Sequence, residues 1–246
     1  MQFRLLTYNI HKGIGGVDRR YDLGRIVETI AHYAPDLALL QEVDDGAPRS
    51  RRHRQVDLLA EATGLTHTAY QHNVRLKVGH YGNAILSRFP LHDVADCDLT
   101  VPLKKRRQAL LARCELHFDG HRRTVAVANV HLGLAGLERQ FQLRRLLNQP
   151  FFAHLQQRTP AVVAGDYNDV WNSLGRGALR EHGFTSAGQR VRTFPAIMPA
   201  RPLDRVFYRG DIEAAGAFAG HTETARLASD HRPLVVDFQL TEPPQD

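Results

Sequence analysis

Ala161-Val162-Val163-Ala164-Gly165-Asp166-Tyr167-Asn168 holds the pattern on which the fold turns. Four apolar residues read as a buried strand. A glycine then frees the backbone, and an aspartate and an asparagine follow, separated by one residue. On an extended segment, side chains two apart point the same way, so Asp166 and Asn168 share a face. Taken alone, Gly-Asp-x-Asn is also an ordinary turn sequence. It gains meaning because the same pattern recurs along the chain. Leu5-Leu6-Thr7-Tyr8 runs into Asn9 and His11, and Leu37-Ala38-Leu39-Leu40 runs into Gln41 and Glu42. Val125-Ala126-Val127-Ala128 runs into Asn129 and His131, and Ser229-Asp230-His231 immediately precedes a last apolar run. Strands that all deliver amides, carboxylates and imidazoles at their ends describe a site mounted on a rigid scaffold.

Working outward, strand signals fall at residues 2–9, 37–40, 66–71, 83–87, 110–117, 124–129, 161–164, 204–208, 212–217 and 233–240. Several alternate apolar and polar residues, as in Arg122-Arg123-Thr124-Val125-Ala126-Val127-Ala128-Asn129, the pattern of a strand exposed on one side. Helical spacing takes over from Asp22, with Leu23, Ile26, Val27 and Ile30 in phase and Pro35 just beyond. Residues 56–63 form a second helix stopped by Gly64. Residues 137–147 form a third, with Leu137, Phe141, Leu143 and Leu147 as its expected buried side. Many short strands with a few helices between them imply two sheets packed together, helices outside.

The composition agrees. The chain has 246 residues, 43% hydrophobic and 24% charged, which suits a globular domain with a sizeable core. Disorder, collagen-like repeats and a disulfide scaffold are excluded; no apolar run is long enough to span a membrane, so no transmembrane segment is expected. Cys97 and Cys114 make no disulfide framework, and with no signal-peptide pattern at Met1 a reducing cytoplasm is the expected location. A net charge of +6 leans toward anionic partners and decides nothing alone. Because one constellation draws on both ends of the chain, residues 1–241 are expected to form a single domain, with 242–246 as a tail.

The chemistry these strand ends can carry is specific. Hard divalent cations take oxygen ligands, usually one or two carboxylates completed by water and substrate phosphate. Glu42 is the leading carboxylate ligand, with Asp230 and the Asn9 amide oxygen beside it. A zinc site is disfavoured, because there is neither CxxC nor HExxH. Asp166 and Asn168 are suited to holding an attacking water and a phosphoryl oxygen. His131 and His231 supply groups that titrate near neutrality. Asp204 is a candidate to hydrogen-bond one imidazole and fix its tautomer.

In this set of segments the chain resembles the endonuclease/exonuclease/phosphatase superfamily. The resemblance is carried by Thr7-Tyr8-Asn9-Ile10-His11, Leu40-Gln41-Glu42-Val43, Tyr81-Gly82-Asn83-Ala84-Ile85-Leu86-Ser87, Asn129-Val130-His131-Leu132, Ala164-Gly165-Asp166-Tyr167-Asn168, Leu203-Asp204-Arg205-Val206-Phe207 and Ser229-Asp230-His231-Arg232-Pro233. It implies an α+β fold, a four-layer α/β/β/α sandwich of two mostly antiparallel sheets packed face to face. It implies Glu42 as principal Mg²⁺ ligand, Mn²⁺ substituting, with Asn9 and Asp230 beside the metal. Asp166 would orient or deprotonate water, and Asn168 would help hold it or the phosphate. His231, positioned by Asp204, would contact the scissile phosphate, the general base lying with this pair or with Asp166. His131 would donate to a non-bridging oxygen or assist the leaving group, and Asn83 would contribute at the phosphate side. In deoxyribonuclease-like members a glutamate pairs with the equivalent of His131; here residues 62–95 contain only one acidic residue, Asp93, and Asn83 stands as the alternative occupant.

The implied activity is hydrolysis of a phosphate ester, foremost a phosphodiester in nucleic acid or an anionic lipid headgroup. A phosphomonoesterase on an inositol or other small phosphate is the alternative, and a non-catalytic phosphate-binding scaffold the second. Two basic segments, Arg49-Ser50-Arg51-Arg52-His53-Arg54 and Lys104-Lys105-Arg106-Arg107, fall in expected loops, and Arg107 is a substrate-binding candidate. Trp171 follows the Asp166 motif as a candidate for the site floor or for the core. No base-intercalating aromatic signature is present, and no protein partner is indicated.

Overall fold

The runs of apolar residues that open the strand-end motifs lie in two six-stranded sheets of the computed structural model, which describes residues 1–118, 120–171, 177–188 and 191–241. In chain order the strands are β1 (Gln2–Asn9), β2 (Leu37–Asp45), β3 (His67–Arg75), β4 (His80–Ser87), β5 (Leu91–Asp98), β6 (Gln108–Phe118), β7 (His121–His131), β8 (Ala161–Asp166), β9 (Thr185–Ala187), β10 (Asp204–Arg209), β11 (Ile212–Ala219) and β12 (Leu234–Leu240). The helices are α1 (Leu23–Tyr33), α2 (Gln55–Thr63), α3 (Gly136–Leu147), α4 (Pro150–Ala153), α5 (Ala178–Glu181) and α6 (Glu223–Ala228). One sheet has the order β11-β12-β1-β2-β4-β3 and the other β5-β6-β7-β8-β10-β9.

Each sheet has one parallel pair, β1 with β2 and β7 with β8; its other pairs are antiparallel. A parallel pair needs a crossover. Helix α1 supplies it in the first sheet, and α3 with α4 in the second. The carboxyl ends of parallel strands are where open sheets offer a crevice for ligands.

Three apolar clusters define four layers. Phe3, Leu5, Leu37, Leu39, Val125, Val127, Val162, Ala164 and Val236 fill the space between the sheets. Their sequence neighbours Leu6, Ala38, Leu40 and Val235 turn outward to α1 and α2. Ala126, Ala128, Ala161 and Val163 turn outward to α3 and its neighbours. Alternation thus decides which layer every side chain joins. Extending the inner-facing parity past the core brings Asn9, Asn129, His131, Asp166 and, from the start of β10, Asp204 onto inner faces at one end of the sandwich. The site is the polar continuation of the inter-sheet core.

Register completes the arrangement. His131 and Asp204 flank Asp166 as its partners on β7 and β10. Gly165 allows this spacing: its φ is +148°, and a Cβ there would lie 1.9 Å from the Val130 carbonyl oxygen. Gly165→Ala must push β8 from β7, and it is expected to lower unfolding free energy by about 3 kcal/mol. Urea denaturation checks this; an unchanged midpoint would show that the strands tolerate the side chain.

Several expectations are corrected. Over Val125–Asn129 strand β7 is buried on both faces, not exposed on one, because α3 covers the outer side; only its first residues reach solvent. Helix α3 buries Arg139, Gln142, Leu143, Leu146 and Leu147, whereas Leu137 and Phe141 are exposed. The buried polar pair disguised the phase. The Arg139 guanidinium donates to the Leu134 carbonyl at 2.5 Å and stands 3.6 Å from Asp169, and Gln142 accepts from the Gly133 amide at 2.9 Å, tying α3 to two loops of the site. The edge strand β5 is a further strand with no apolar run to mark it: its side chains, Cys97 apart, are at least partly exposed and acidic residues interrupt it. Residues 242–246, expected as a tail, lie outside the described residues.

Candidate active site

Asp166 is the centre. Its carboxylate is almost wholly buried, and it is held from three directions. Oδ1 accepts from the Asn168 backbone amide at 2.9 Å, and Oδ2 accepts from the Asn9 side-chain amide at 3.1 Å. Nε2 of His131 lies 3.6 Å from Oδ2, and Nε2 of His231 lies 3.8 Å from it. Asn168 adopts φ +51°, turning the chain back so that its side chain donates to the Leu132 carbonyl at 3.0 Å.

The two imidazoles stand in opposite states. Burial lowers the pKa of His231, but the fields of Asp204 and Asp166 and the bond to Asp204 outweigh burial and raise it to about 10. That bond runs from Nδ1 to Asp204 Oδ2 at 2.8 Å, and the same oxygen accepts from Thr193 Oγ1 at 2.5 Å. Phe194 packs against the ring with centroids 5.0 Å apart. Among the described residues no carboxylate lies within hydrogen-bond distance of His131. Burial, reinforced by the positive field of Arg107, takes it down to about 4. At neutral pH the site therefore holds an imidazolium and a neutral imidazole on either side of one carboxylate.

Glu42 arrives by a different route. Strand β2 bulges between Leu40 and Val43, so that Gln41 and Glu42 together face Asn83 of β4. Glu42 has φ +57° and leaves the alternation of its strand. Burial disfavours its charge, but the fields of His131 and of the Lys12 ammonium, which also bonds the carboxylate, hold the pKa down to about 2. Lys12 stands in the short turn after β1, itself at φ +63°. Lys12 carries no sequence signal beyond its place directly after His11 and three residues after Asn9.

Asp230 sits at the mouth, with Oδ1 3.8 Å from His11 Nδ1. Ser229 anchors this turn by donating from Oγ to the Asn9 carbonyl at 2.7 Å. Gly16 packs on the Asp230 backbone, where a Cβ would lie 2.6 Å from its Cα. The ends of β1 and the last loop are therefore locked to each other.

Other motif residues act inside the scaffold. Asn129 donates to the Leu40 and Ala84 carbonyls, both at 2.8 Å, and accepts from Gln41 at 2.7 Å, pinning the sheets together beneath the site. Asn83 spends its two N–H groups on Gln71 and on the Gln108 carbonyl, at 3.2 and 3.1 Å. Its buried Oδ1 has no partner among the described residues. Arg107, next to Gln108, is half-buried, and its field reaches His131. Trp171 is neither in the core nor on the site floor; it is 85% exposed.

Among the described residues no three His, Cys, Asp or Glu side chains gather as a metal cluster. A cation here would rest on Glu42, on neighbouring amide and carboxylate oxygens and on water or substrate. That donor set suits a hard divalent ion. Lys12 already places one positive charge on Glu42.

Comparison with known proteins agrees with this geometry. The family model described as "Endonuclease/Exonuclease/phosphatase family" matches residues 6–231. "Uncharacterized protein YbhP" of Escherichia coli K12 is 32% identical over 251 aligned positions, covering 97% of this chain and 96% of that protein. The crystal structure of an endonuclease/exonuclease/phosphatase from Beutenbergia cavernae has a TM-score of 0.77 at 24% identity, covering 100% of this chain and 73% of that one. The human Nocturnin catalytic domain, solved with a bound sulfate anion, has a TM-score of 0.70 at 20% identity, covering 98% and 94%. The chain belongs to the endonuclease/exonuclease/phosphatase family, whose enzymes hydrolyse phosphoester bonds and typically use divalent metals.

Proposed function

We propose that the protein is a Mg²⁺-dependent phosphodiesterase, with Mn²⁺ as a substitute, that cleaves its ester by in-line attack of an activated water. The observation that carries the reading is the shared Asp166 carboxylate, with the Nε2 atoms of a cationic His231 and a neutral His131 at 3.8 and 3.6 Å. Glu42, Asn9 and Asp230 would hold the metal, which supplies Lewis-acid stabilisation of the phosphoryl oxygens. Asp166 takes the proton of the attacking water. The bond to Asp204 holds His231 toward its protonated form, so it serves as a donor and not as the base: it donates from Nε2 to a phosphoryl oxygen, its ring oriented by Asp204. His131 stands beside the carboxylate to donate to a non-bridging oxygen or the leaving group. Asn168 steadies the water, and Arg107 meets the phosphate. Asn83 serves the phosphate side by fixing Gln108 at the foot of the Arg107 loop. The free, buried Cys97 and Cys114 support a reducing, cytoplasmic setting.

The direct test is a Mg²⁺ and Mn²⁺ titration against bis-p-nitrophenyl phosphate, p-nitrophenyl phosphate, plasmid DNA, RNA and lipid vesicles. Metal-dependent release from the diester above the monoester is expected. Silence on every substrate at neutral pH would leave only phosphate binding.

Lys12 gives a second expectation. If it and the metal compete for Glu42, Lys12→Met should lower stability without metal and enlarge the stabilisation Mg²⁺ gives, since a ligand that binds only the folded state stabilises it by mass action. Thermal unfolding with and without Mg²⁺ checks this. An equal metal-induced shift in both proteins would separate Lys12 from the metal position.

A further inference from the structure

Eleven large apolar side chains are well exposed among the described residues. Eight of them lie at one end of the sandwich, Val17 in the connection after β1 and Val78 in the hairpin between β3 and β4 among them. Leu103 is 105% exposed in the connection that enters β6, whose Ala109 pairs with Val130 beside His131. Leu134 and Leu137, at 75% and 82%, follow His131 directly into the start of α3. Trp171, at 85%, follows the Asp166 motif, and Ile197 and Met198 project from the connection between β9 and β10 that leads to Asp204. At the opposite end, connections 34–36, 88–90, 154–160 and 210–211 expose no large apolar residue among those described. Burial of the core does not require this asymmetry, and exposed apolar groups concentrated around a site mark an interaction surface.

The same end is basic. Leu103 is followed by Lys104, Lys105 and Arg106, all exposed, and Arg51 and Arg52 are exposed in the connection after β2. Connections 46–54 and 99–107 contain no Asp or Glu. Of the apolar side chains at this end only Trp171 offers a π-face on which a base can stack, so a nucleic-acid track would rest on that single ring and on the lysines and arginines. Aliphatic tips, an exposed tryptophan and interspersed Lys and Arg fit the boundary between headgroups and acyl chains of an anionic bilayer.

We propose that this rim seats the protein on an anionic phospholipid surface, the loop tips entering the headgroup layer. On the phosphodiesterase reading above, on which this clause rests, the ester presented to Asp166 is then that of a lipid headgroup. The test is co-sedimentation with phosphatidylglycerol vesicles, phosphatidylcholine vesicles and, separately, binding of duplex DNA. It compares the wild type with the triple variant Leu103→Ser, Trp171→Ser and Met198→Ser. The expected result is binding to phosphatidylglycerol vesicles that weakens with salt and falls at least about tenfold in the variant, with little binding to phosphatidylcholine. Hydrolysis of soluble bis-p-nitrophenyl phosphate should be unchanged in the variant, confirming that it folds. Failure of the wild type to bind phosphatidylglycerol, undiminished binding by the variant, or duplex-DNA binding lost with the same three side chains would each overturn the proposal. Rim-dependent vesicle binding by a protein inactive on the soluble diester would support the docking surface while removing the phosphodiesterase reading.

Discussion

Replacing Asp166 with alanine is expected to lower turnover of a soluble phosphodiester by at least about 10²–10³-fold while leaving the protein folded. The expectation follows from what converges on this carboxylate. Asn9, the Asn168 amide and both imidazoles face it, and among the described residues no second carboxylate lies between the two histidines. Loss of the base should appear in kcat more than in KM, because Asp166 is not positioned to carry phosphate binding. The Asn9 side-chain amide and the Asn168 backbone amide lose one partner each, so a modest drop in stability is compatible with the account. Steady-state kinetics beside a thermal melt separates the two effects. Near-normal turnover in a folded Asp166→Ala protein would remove Asp166 from the reaction.

Asp204→Asn should cost turnover on a similar scale, about 10²–10³-fold, without touching substrate. Its route is His231. With a neutral amide at position 204 the imidazole loses the charge that keeps it protonated, and its Nε2 donor is lost near neutrality. The same change can be read without any assay of activity. His231 has a folded-state pKa of about 10, above its unfolded value of about 6.5, so its contribution to stability is complete below about pH 6.5 and disappears as pH rises toward 10. His131 has the opposite sign. Its folded-state pKa of about 4 means that the unfolded chain takes up the proton first, and stability falls as pH drops from about 6.5 toward 4. Urea midpoints across pH should therefore form a dome in the metal-free wild type. Asp204→Asn should flatten the alkaline limb and spare the acid one. A persistent alkaline limb in the variant would mean that Asp204 does not set the state of His231.

The layered fold was legible because its central strands obey one rule. Val125 and Val127, or Val162 and Ala164, face the other sheet, and their neighbours face helices, so apolar runs ending in polar residues announce both the layers and the site. Where two helical turns buried arginine and glutamine, the rule inverted, and the exposed Leu137 and Phe141 were assigned to the wrong side. Asp166, His131, His231 and Asp204 were legible because each follows or precedes an apolar run. Glu42 was legible as a residue, but its geometry was not: a bulge and a positive φ bring it to the site, and no periodicity encodes either. Lys12 was not legible because a lysine in a loop is ordinarily solvated, and only the fold reveals that it lies on a partly buried carboxylate. Asn129 looked like a site residue and is a strut between the sheets, a distinction that rests on three hydrogen bonds across a register the sequence does not print.

The central claim is that these strand ends form a metal-assisted phosphodiesterase centre assembled on Glu42 and Asp166. It is tested most directly by the initial rate of bis-p-nitrophenyl phosphate hydrolysis against free Mg²⁺, for the wild type and for Glu42→Ala, with a chelator control. The account predicts saturable activation of the wild type, none in chelator, and a Glu42→Ala protein that stays folded but needs far more metal for a rate lower by about 10²-fold or more. Equal rates with chelator and with Mg²⁺, or a Glu42→Ala titration superimposed on the wild type, would contradict it.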